Sequence, residues 1–406
     1  MSEVKNVPNG WVETTLGEVV EIGSSKRIFF SEYVSEGIPF YRSKEIIEKQ
    51  KGNNISSELF ITEKKFNEID NQFGSPKKDD LLLTSVGTLG VPYLVKENEK
   101  FYFKDGNLTW FKQYKNLNPV YLYNWILSPI GKERINSITI GSTQSALTIS
   151  GLRTLKIYLP PLPEQQSIAA ILTSFDDKIE LLQAQNKTLE ELAQTLFKEW
   201  FGKYKVGDEL PDGWRVGKLS EFGKIICGKT PSKSNEDYFG NDIPFIKIPD
   251  MHNKVFILET TDNLSIEGAK SQNNKMLPKN SICISCIATV GLVSITTKKS
   301  QTNQQINSII PNENYFREFL YFTLTKMKNY LNDLGSGGTA TLNVNTSTFS
   351  NIELVKPKED IIKDFHKLSN PIFEKVLQNN TQIQTLTKTR DALLPKLMSG
   401  EIRVKK

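Results

Sequence analysis

From Ile168 to Leu196 the positions Ile168, Leu172, Phe175, Ile179, Leu182, Asn186, Leu189, Ala193 and Leu196 recur at alternating steps of four and three. That spacing is the seam of a coiled coil and predicts a long helix from about Glu164 to Phe201. At about 1.5 Å per residue it would reach roughly 55 Å, the length of a spacer. A second stripe, Phe365, Leu368, Ile372, Val376, Asn379, Ile383, Leu386, Arg390, Leu393 and Leu397, predicts a matching helix near the C-terminal end, with one extra step of four and a charge in the seam. One such seam fits a core helix of an ordinary domain. Two, each carrying an asparagine (Asn186, Asn379), fit helices that pair antiparallel with matched polar layers. Gly202 and Gly400 stand where a left-handed terminating residue belongs, and Pro395 is expected to kink or end the second helix early.

The segments ahead of the two helices repeat each other in order. Asn9-Gly10-Trp11-Val12, with Leu16 and Ile22, returns as Asp212-Gly213-Trp214-Arg215, with Leu219 and Ile225. Ile38-Pro39-Phe40-Tyr41-Arg42 returns as Ile243-Pro244-Phe245-Ile246-Lys247. The strand-like run 81–86, followed by Gly87-Thr88-Leu89-Gly90, returns as 282–287 followed by Ala288-Thr289-Val290-Gly291. The loop 141–147 answers 336–342, and Leu155-Lys156-Ile157 with Pro160 answers Ile352-Glu353-Leu354 with Pro357. The expected fold is α+β: two similar globular domains, residues 1–160 and 204–357, separated by helices within 161–203 and 358–406 that form an antiparallel coiled coil, the whole a pseudo-twofold internal repeat.

A chain of 406 residues with 38% hydrophobic and 24% charged side chains has room for two to three domains and excludes a disordered or low-complexity protein. Three cysteines (Cys227, Cys283, Cys286), no charged-then-apolar leader and no apolar run of ~18–20 residues predict a cytoplasmic protein without a membrane span. The formal charge of +5, 51 Lys and Arg against 46 Asp and Glu, permits a nucleic-acid partner without demanding one, so binding would have to come from local clusters.

Catalytic patterns are incomplete. Gly223-Lys224-Ile225-Ile226-Cys227-Gly228-Lys229-Thr230 matches the phosphate-cradling loop by letter, but Ile225 and Ile226 are apolar inside it and Pro231 follows where a helix should start. Cys283 and Cys286 lie in a strand-like run, where residues three apart point to opposite faces, and only Cys227, His252 and His366 remain as soft ligands. Two histidines leave few candidates for acid-base work. No metal site and no catalytic residue is expected. What recurs instead is polar and basic loop residues at matching places: Lys26 and Arg27 with Lys229, Thr230 and Lys233, Arg42 and Lys44 with Lys247, Thr143 and Gln144 with Thr339 and Thr341, and Asp105-Gly106-Asn107 with Asn303 and Gln304. Such groups suit duplex DNA, in which Lys, Arg, Ser and Thr hold phosphates while Arg, Asn and Gln read base edges. One at a time they are ordinary solvated turn residues, and their joint recurrence carries the functional reading.

The layout resembles the DNA specificity subunit of type I restriction-modification systems over nearly the whole chain. The resemblance rests on Gly10-Trp11 with Leu16-Gly17, Gly213-Trp214 with Leu219, the Ile-Pro-Phe turns and the Gly-Ser-Thr-Gln loop at 141–144. It rests further on Leu159-Pro160-Pro161-Leu162-Pro163-Glu164-Gln165-Gln166-Ser167-Ile168 and on the segment from Thr389 to Ile402. The second helix start, Lys356-Pro357-Lys358-Glu359-Asp360, departs by lacking the Gln pair. The resemblance implies two target-recognition domains, a non-catalytic chain that binds a bipartite asymmetric duplex, and a spacer fixed by helix length. Its implied partners are double-stranded DNA, two methyltransferase subunits and a restriction or translocase subunit. S-adenosylmethionine, ATP and Mg are implied only in those partners, and none in this chain. The helix pair and partner contacts would use Leu172, Ile179, Leu182, Asn186, Leu189, Leu196, Ile372, Asn379, Ile383, Leu386 and Leu393. Two other readings of the residues stand beside it: a two-domain DNA-acting enzyme, recognisable by turnover of the isolated chain, and a coiled-coil scaffold, recognisable by lack of salt-sensitive duplex binding.

Overall fold

Each half opens on a turn whose third residue must be glycine-like. The computed structural model describes residues 7–52, 55, 57–141, 145–335 and 343–404 and resolves the chain into two units, residues 1–178 with 386–406 and residues 179–385. In the first unit Trp11 N–H donates to Pro8 O (3.0 Å) across Gly10, whose φ is +83°. Only glycine enters that region without strain. Ten strands follow: β1 (Val12–Thr15), β2 (Glu21–Gly23), β3 (Tyr33–Val34), β4 (Ile38–Tyr41), β5 (Phe60–Ile61), β6 (Leu81–Thr84), β7 (Pro92–Leu94), β8 (Tyr102–Phe103), β9 (Leu108–Lys112) and β10 (Lys156–Leu159). β1 pairs antiparallel with β10, Val12 opposite Leu159, so the first and last strands close the unit. The others form two four-stranded sheets, β2-β9-β6-β7 and β3-β5-β4-β8. β6 is buried on both faces: Leu81 and Leu83 pack with Phe111, Tyr121 and Trp125, while Leu82 packs with Tyr41, Phe103 and Trp110. Burial on both sides makes it read as a continuous apolar run rather than an alternating one. Helices Pro119–Leu127, Pro129–Ser137 and Ile149–Arg153 cover the core, and Gly17 lies so close to the last that a Cβ there would meet Arg153 O at 2.9 Å.

The second unit repeats this order. Trp214 N–H donates to Pro211 O (2.9 Å) across Gly213, whose φ is +75°. Its strands are β11 (Arg215–Lys218), β12 (Gly223–Cys227), β13 (Phe239–Gly240), β14 (Ile243–Ile246), β15 (Phe256–Ile257), β16 (Asp262–Leu264), β17 (Ile282–Ser285), β18 (Val293–Thr296), β19 (Gln301–Thr302), β20 (Ile306–Pro311) and β21 (Glu353–Lys356). β11 closes on β21, and the sheets are β12-β20-β17-β18-β15 and β13-β16-β14-β19. β15, parallel to β18, is the strand that the sheet β2-β9-β6-β7 lacks. Helices Arg317–Lys326, Lys328–Gly335 and Thr346–Ser350 take the places of the three in the first unit.

Two long helices, Leu162–Phe201 and Glu359–Ser399, each contribute one segment to each unit. In the first unit Ile168 and Leu172 share a core with Leu397 and Met398, and half-buried Leu393 packs on it. Arg390 Nη1 lies 2.6 Å from Asp176 and Arg403 Nε 2.7 Å from Glu164, a reversed order of partners that makes the segments antiparallel. In the second unit Ala193, Phe197 and Phe201 pack with Ile362, Phe365, Phe373 and Val376, with Leu189, Leu196 and Ile372 at the edge of that cluster. There Leu182 is buried, and Asn186 Oδ1 accepts from Asn379 Nδ2 (2.9 Å) while Asn186 Nδ2 donates to Asn380 Oδ1 (2.6 Å). Ile179, Ile383 and Leu386 are half-buried.

Three expectations about the helix ends and stripe are corrected. Pro395 does not end the second helix, which runs on to Ser399, because the burial of Leu397 and Met398 holds the last turn against the lost N–H. Gly400 is left-handed (φ +73°), but Gly202 is not; its N–H donates to Lys198 O (2.8 Å) and prolongs the helical turn. Leu368 is half exposed and Ser369 faces inward in its stead, its hydroxyl donating to Phe365 O (2.9 Å).

Asn186→Leu strands the buried Asn379 amide and should cost the second unit about 1–3 kcal/mol in chemical denaturation. Asn186→Leu combined with Asn379→Leu should recover most of that loss, at the expense of a unique register. A double variant as unstable as the single one would mean the polar layer adds net stability.

Candidate nucleic-acid interface

In each unit four connections, far apart in sequence, converge at one end of the sheets. In the first unit they are residues 24–28 after β2, 41–44 after β4, 85–90 after β6 and 104–107 between β8 and β9. Ser25 Oγ donates to Phe103 O (2.7 Å), Lys26 N–H to the Tyr102 hydroxyl (2.8 Å), and Arg27 Nε to Asp105 (2.8 Å). Lys104 N–H donates to Tyr41 O (2.8 Å), and Ser85 N–H to Asn107 O (2.8 Å). The second unit ties the same connections together in its own way: Lys229 N–H to Thr302 O (2.9 Å), Asn303 N–H to Ile246 O (3.1 Å), Cys286 N–H to Gln305 O (2.8 Å) and Thr230 Oγ1 to Gln304 Oε1 (2.6 Å). The hairpin after β6 and that after β17 match in detail. Thr84 Oγ1 accepts from Val91 N–H (3.0 Å) in one, and Ser285 Oγ from Leu292 N–H (2.9 Å) in the other. At its tip Gly87 (φ +80°) is replaced by Ala288 (φ +63°), an exposed side chain held in the left-handed region.

Internal acids occupy several of the cations. Arg42 and Lys247 each precede a short helix and donate their backbone N–H to a carboxylate three residues on, Glu45 (2.8 Å) and Asp250 (2.9 Å). The Arg42 guanidinium spans Glu45 (2.7 Å) and Glu58 (2.8 Å), Lys44 Nζ also reaches Glu58 (2.9 Å), and Lys247 pairs with Asp262. Hydrogen bonds from Arg42 and then Lys44 hold the Glu58 carboxyl down to about 2, so this pairing is complete above the ordinary carboxylate range and lost only as pH falls toward that value. The same bonds push Arg42 and Lys44 up. Lys26 Nζ lies over the Phe73 ring at 5.0 Å. Lys229 and Lys233 are exposed without a carboxylate partner among the described residues, and so is Lys104, which the sequence analysis missed. Gln304 is exposed, whereas Asn303 is buried and both ends of its amide are taken by Gln305, Nδ2 donating to Gln305 Oε1 (2.9 Å) and Oδ1 accepting from Gln305 N–H (3.2 Å). A buried pair behind this end was also missed: Gln272 Nε2 donates to Lys229 O (2.7 Å) and to Gln301 Oε1 (2.8 Å), fixing the loop that presents Lys229. Its signal, two glutamines on separate elements, has no local pattern. Thr143, Gln144, Thr339 and Thr341 lie outside the described residues.

The phosphate-loop string lies largely in strand β12, not in a loop. Cys283 and Cys286 belong to different core clusters, and burial pushes their thiols up to about 12 and about 11. Among the described residues no group of His, Cys, Asp and Glu is placed to hold a metal, and no helix is long and apolar enough to cross a membrane.

Basic and amide side chains presented by convergent loops, twice in one chain, are the build of a DNA-recognition protein. The model of the type I restriction modification DNA specificity domain matches residues 8–191 and again 211–386. The chain therefore belongs to the type I restriction-modification DNA specificity family, a family of recognition subunits rather than enzymes. It is 45% identical to the HindI specificity subunit of Haemophilus influenzae over 325 residues, 63% of this chain and 71% of that one. It is 29% identical to the MjaIX specificity subunit of Methanocaldococcus jannaschii over 432 aligned positions, 99% and 96% of the two chains. The crystal structure of a type I S subunit from M. genitalium shares the fold at TM-score 0.66 and 17% identity, covering 98% and 99%. Membership in this family sets aside the enzyme and scaffold readings.

Ala288→Gly should raise the stability of the second unit by roughly 0.5–1 kcal/mol, since a left-handed alanine costs more than the extra chain entropy of glycine. A lower denaturation midpoint would show that the tip is not strained.

Proposed function

We propose that this chain recognises a bipartite, asymmetric duplex, one half-site per unit, and directs adenine methylation or restriction by partner subunits. The observation that supports it most is the twofold convergence of the loops, with different side chains at matching places: Arg27, Arg42 and Lys104 in one unit, Lys229, Lys247 and Gln304 in the other. Different readers imply different half-sites, hence no palindrome. Residues 1–160 and 204–357 act as target-recognition domains, with spacer helices in 161–203 and 358–406. Among the loop residues, Lys26, Lys229 and Lys233 hold phosphates, while Gln304 faces base edges and the buried Asn303 shapes the turn that presents it. Arg27, Arg42, Lys44 and Lys247 reach DNA only by exchanging an internal carboxylate for a phosphate. Thr143, Gln144, Thr339 and Thr341 complete the two loop sets.

Two methyltransferase subunits dock on this chain and use S-adenosylmethionine. A restriction or translocase subunit supplies the ATP- and Mg-dependent steps. The complex works in the cytoplasm. The deciding experiment is purification of the tagged chain from its own cells, with mapping of methylated adenines with and without its gene. A co-purifying methyltransferase and the loss of one bipartite methylated motif are expected. An unchanged methylome with no such partner would overturn the assignment.

Lys229→Ala with Lys233→Ala should weaken binding several-fold on every sequence and reduce the salt slope by about two, the signature of two phosphate contacts. Gln304→Ala should relax base preference within a single half-site, read from the motifs methylated by the variant. Relaxation in both halves would mean the units do not read independently.

A further inference from the structure

The first unit carries two adjacent phenylalanines that stand exposed among the described residues: Phe29 is 62% and Phe30 89% exposed. A scattered exposed apolar residue needs no explanation, but these sit at a braced tip. Phe29 N–H donates to Glu32 (2.7 Å), Glu32 pairs with Lys65 Nζ (2.6 Å), and the Phe30 ring meets Tyr33 edge-on at 6.2 Å. Tyr33 rests on buried Phe40 with ring centroids 5.1 Å apart. The tip follows directly on Lys26 and Arg27, which the loop network holds against residues 102–105. Cations beside free aromatic faces suit a partner with anionic groups next to flat apolar ones, which is the chemistry of a nucleic acid. The matching turn of the second unit has Asn235 and Glu236 at these positions, its Asn235 Oδ1 accepting from Asp237 N–H (3.2 Å). A carboxylate there would repel the same partner.

We propose that Phe30, backed by Phe29, is a stacking wedge that enters an unstacked base step of the duplex, with Lys26 and Arg27 holding the flanking phosphates. The inference rests on the DNA-binding reading above and adds an asymmetry to it: one half-site is unstacked and the other is not.

The test uses the chain purified with its methyltransferase subunits and a duplex carrying the motif assigned by methylome mapping, with 2-aminopurine placed in turn at each position of both half-sites except the adenines that the methyltransferase subunits methylate and hence flip out of the stack. Wild-type complex should raise the fluorescence several-fold at one position in one half-site only. Phe30→Ala should abolish the rise and weaken binding about tenfold, Phe30→Trp should retain both, and thermal melting should be unchanged in each. Specific binding with no rise at any position, or a rise that survives Phe29→Ala with Phe30→Ala, overturns the wedge and leaves the DNA reading standing. Loss of the methyltransferase subunit from the Phe variants would assign the tip to a protein contact and likewise overturn it. No duplex binding by the wild-type complex overturns both readings.

Discussion

In neither unit do the sheets complete the core by themselves. In each, the last apolar layer comes from two helical segments that lie far apart along the chain: Ile168 and Leu172 with Leu397 and Met398 in one, Phe197 and Phe201 with Phe365 and Phe373 in the other. The short ladders β1–β10 and β11–β21 bring the ends of the strand-rich part together, and each long helix departs within three residues of its ladder. Sheets alone would leave Trp125 or Phe319 against water, a loss of several kcal/mol at the usual value of buried apolar area. The rigid sheet ends, and hence the loops they present, depend on that helical cover.

The convergent loop ends are charged, and about half of their cations are neutralised internally. Glu58 clasps Arg42 and Lys44, Asp105 takes Arg27, and Asp262 takes Lys247. Exposed pairs of this kind are weak, so they cost little to exchange for a phosphate, yet they hold long side chains in place and lower indiscriminate attraction to DNA. That balance agrees with a chain whose overall charge is only +5. Under the proposed function, selection among sequences then falls to amides and shape rather than to bulk charge.

The repeat, the two seams and the all-buried strands were legible in the sequence because they are periodic or duplicated, and periodicity survives without coordinates. Asn186 and Asn379 stood out as polar interruptions at equivalent points of apolar stripes. Pro395 and Gly202 misled because local propensity at a helix end yields to what the last turn packs on. Candidate loop residues could be named from matched positions, but the partners of Arg42 could not: Glu58 reaches it across the β4–β5 connection, a tertiary contact with no sequence period. Lys104 escaped notice because a lone lysine before a turn has no pattern, and Ala288 because strain is a property of φ, not of residue type.

The interleaving of the first unit has a consequence for biosynthesis. Residues 179–385 form a contiguous stretch that can finish folding as soon as it is clear of the ribosome, whereas residues 1–178 must wait for 386–406. At typical elongation rates the 207 intervening residues take roughly 10–40 s to make. During that interval the faces of Trp11, Ile168 and Leu172 that Gly400, Leu397 and Met398 later cover stay open to water. The unit synthesised first is therefore finished last.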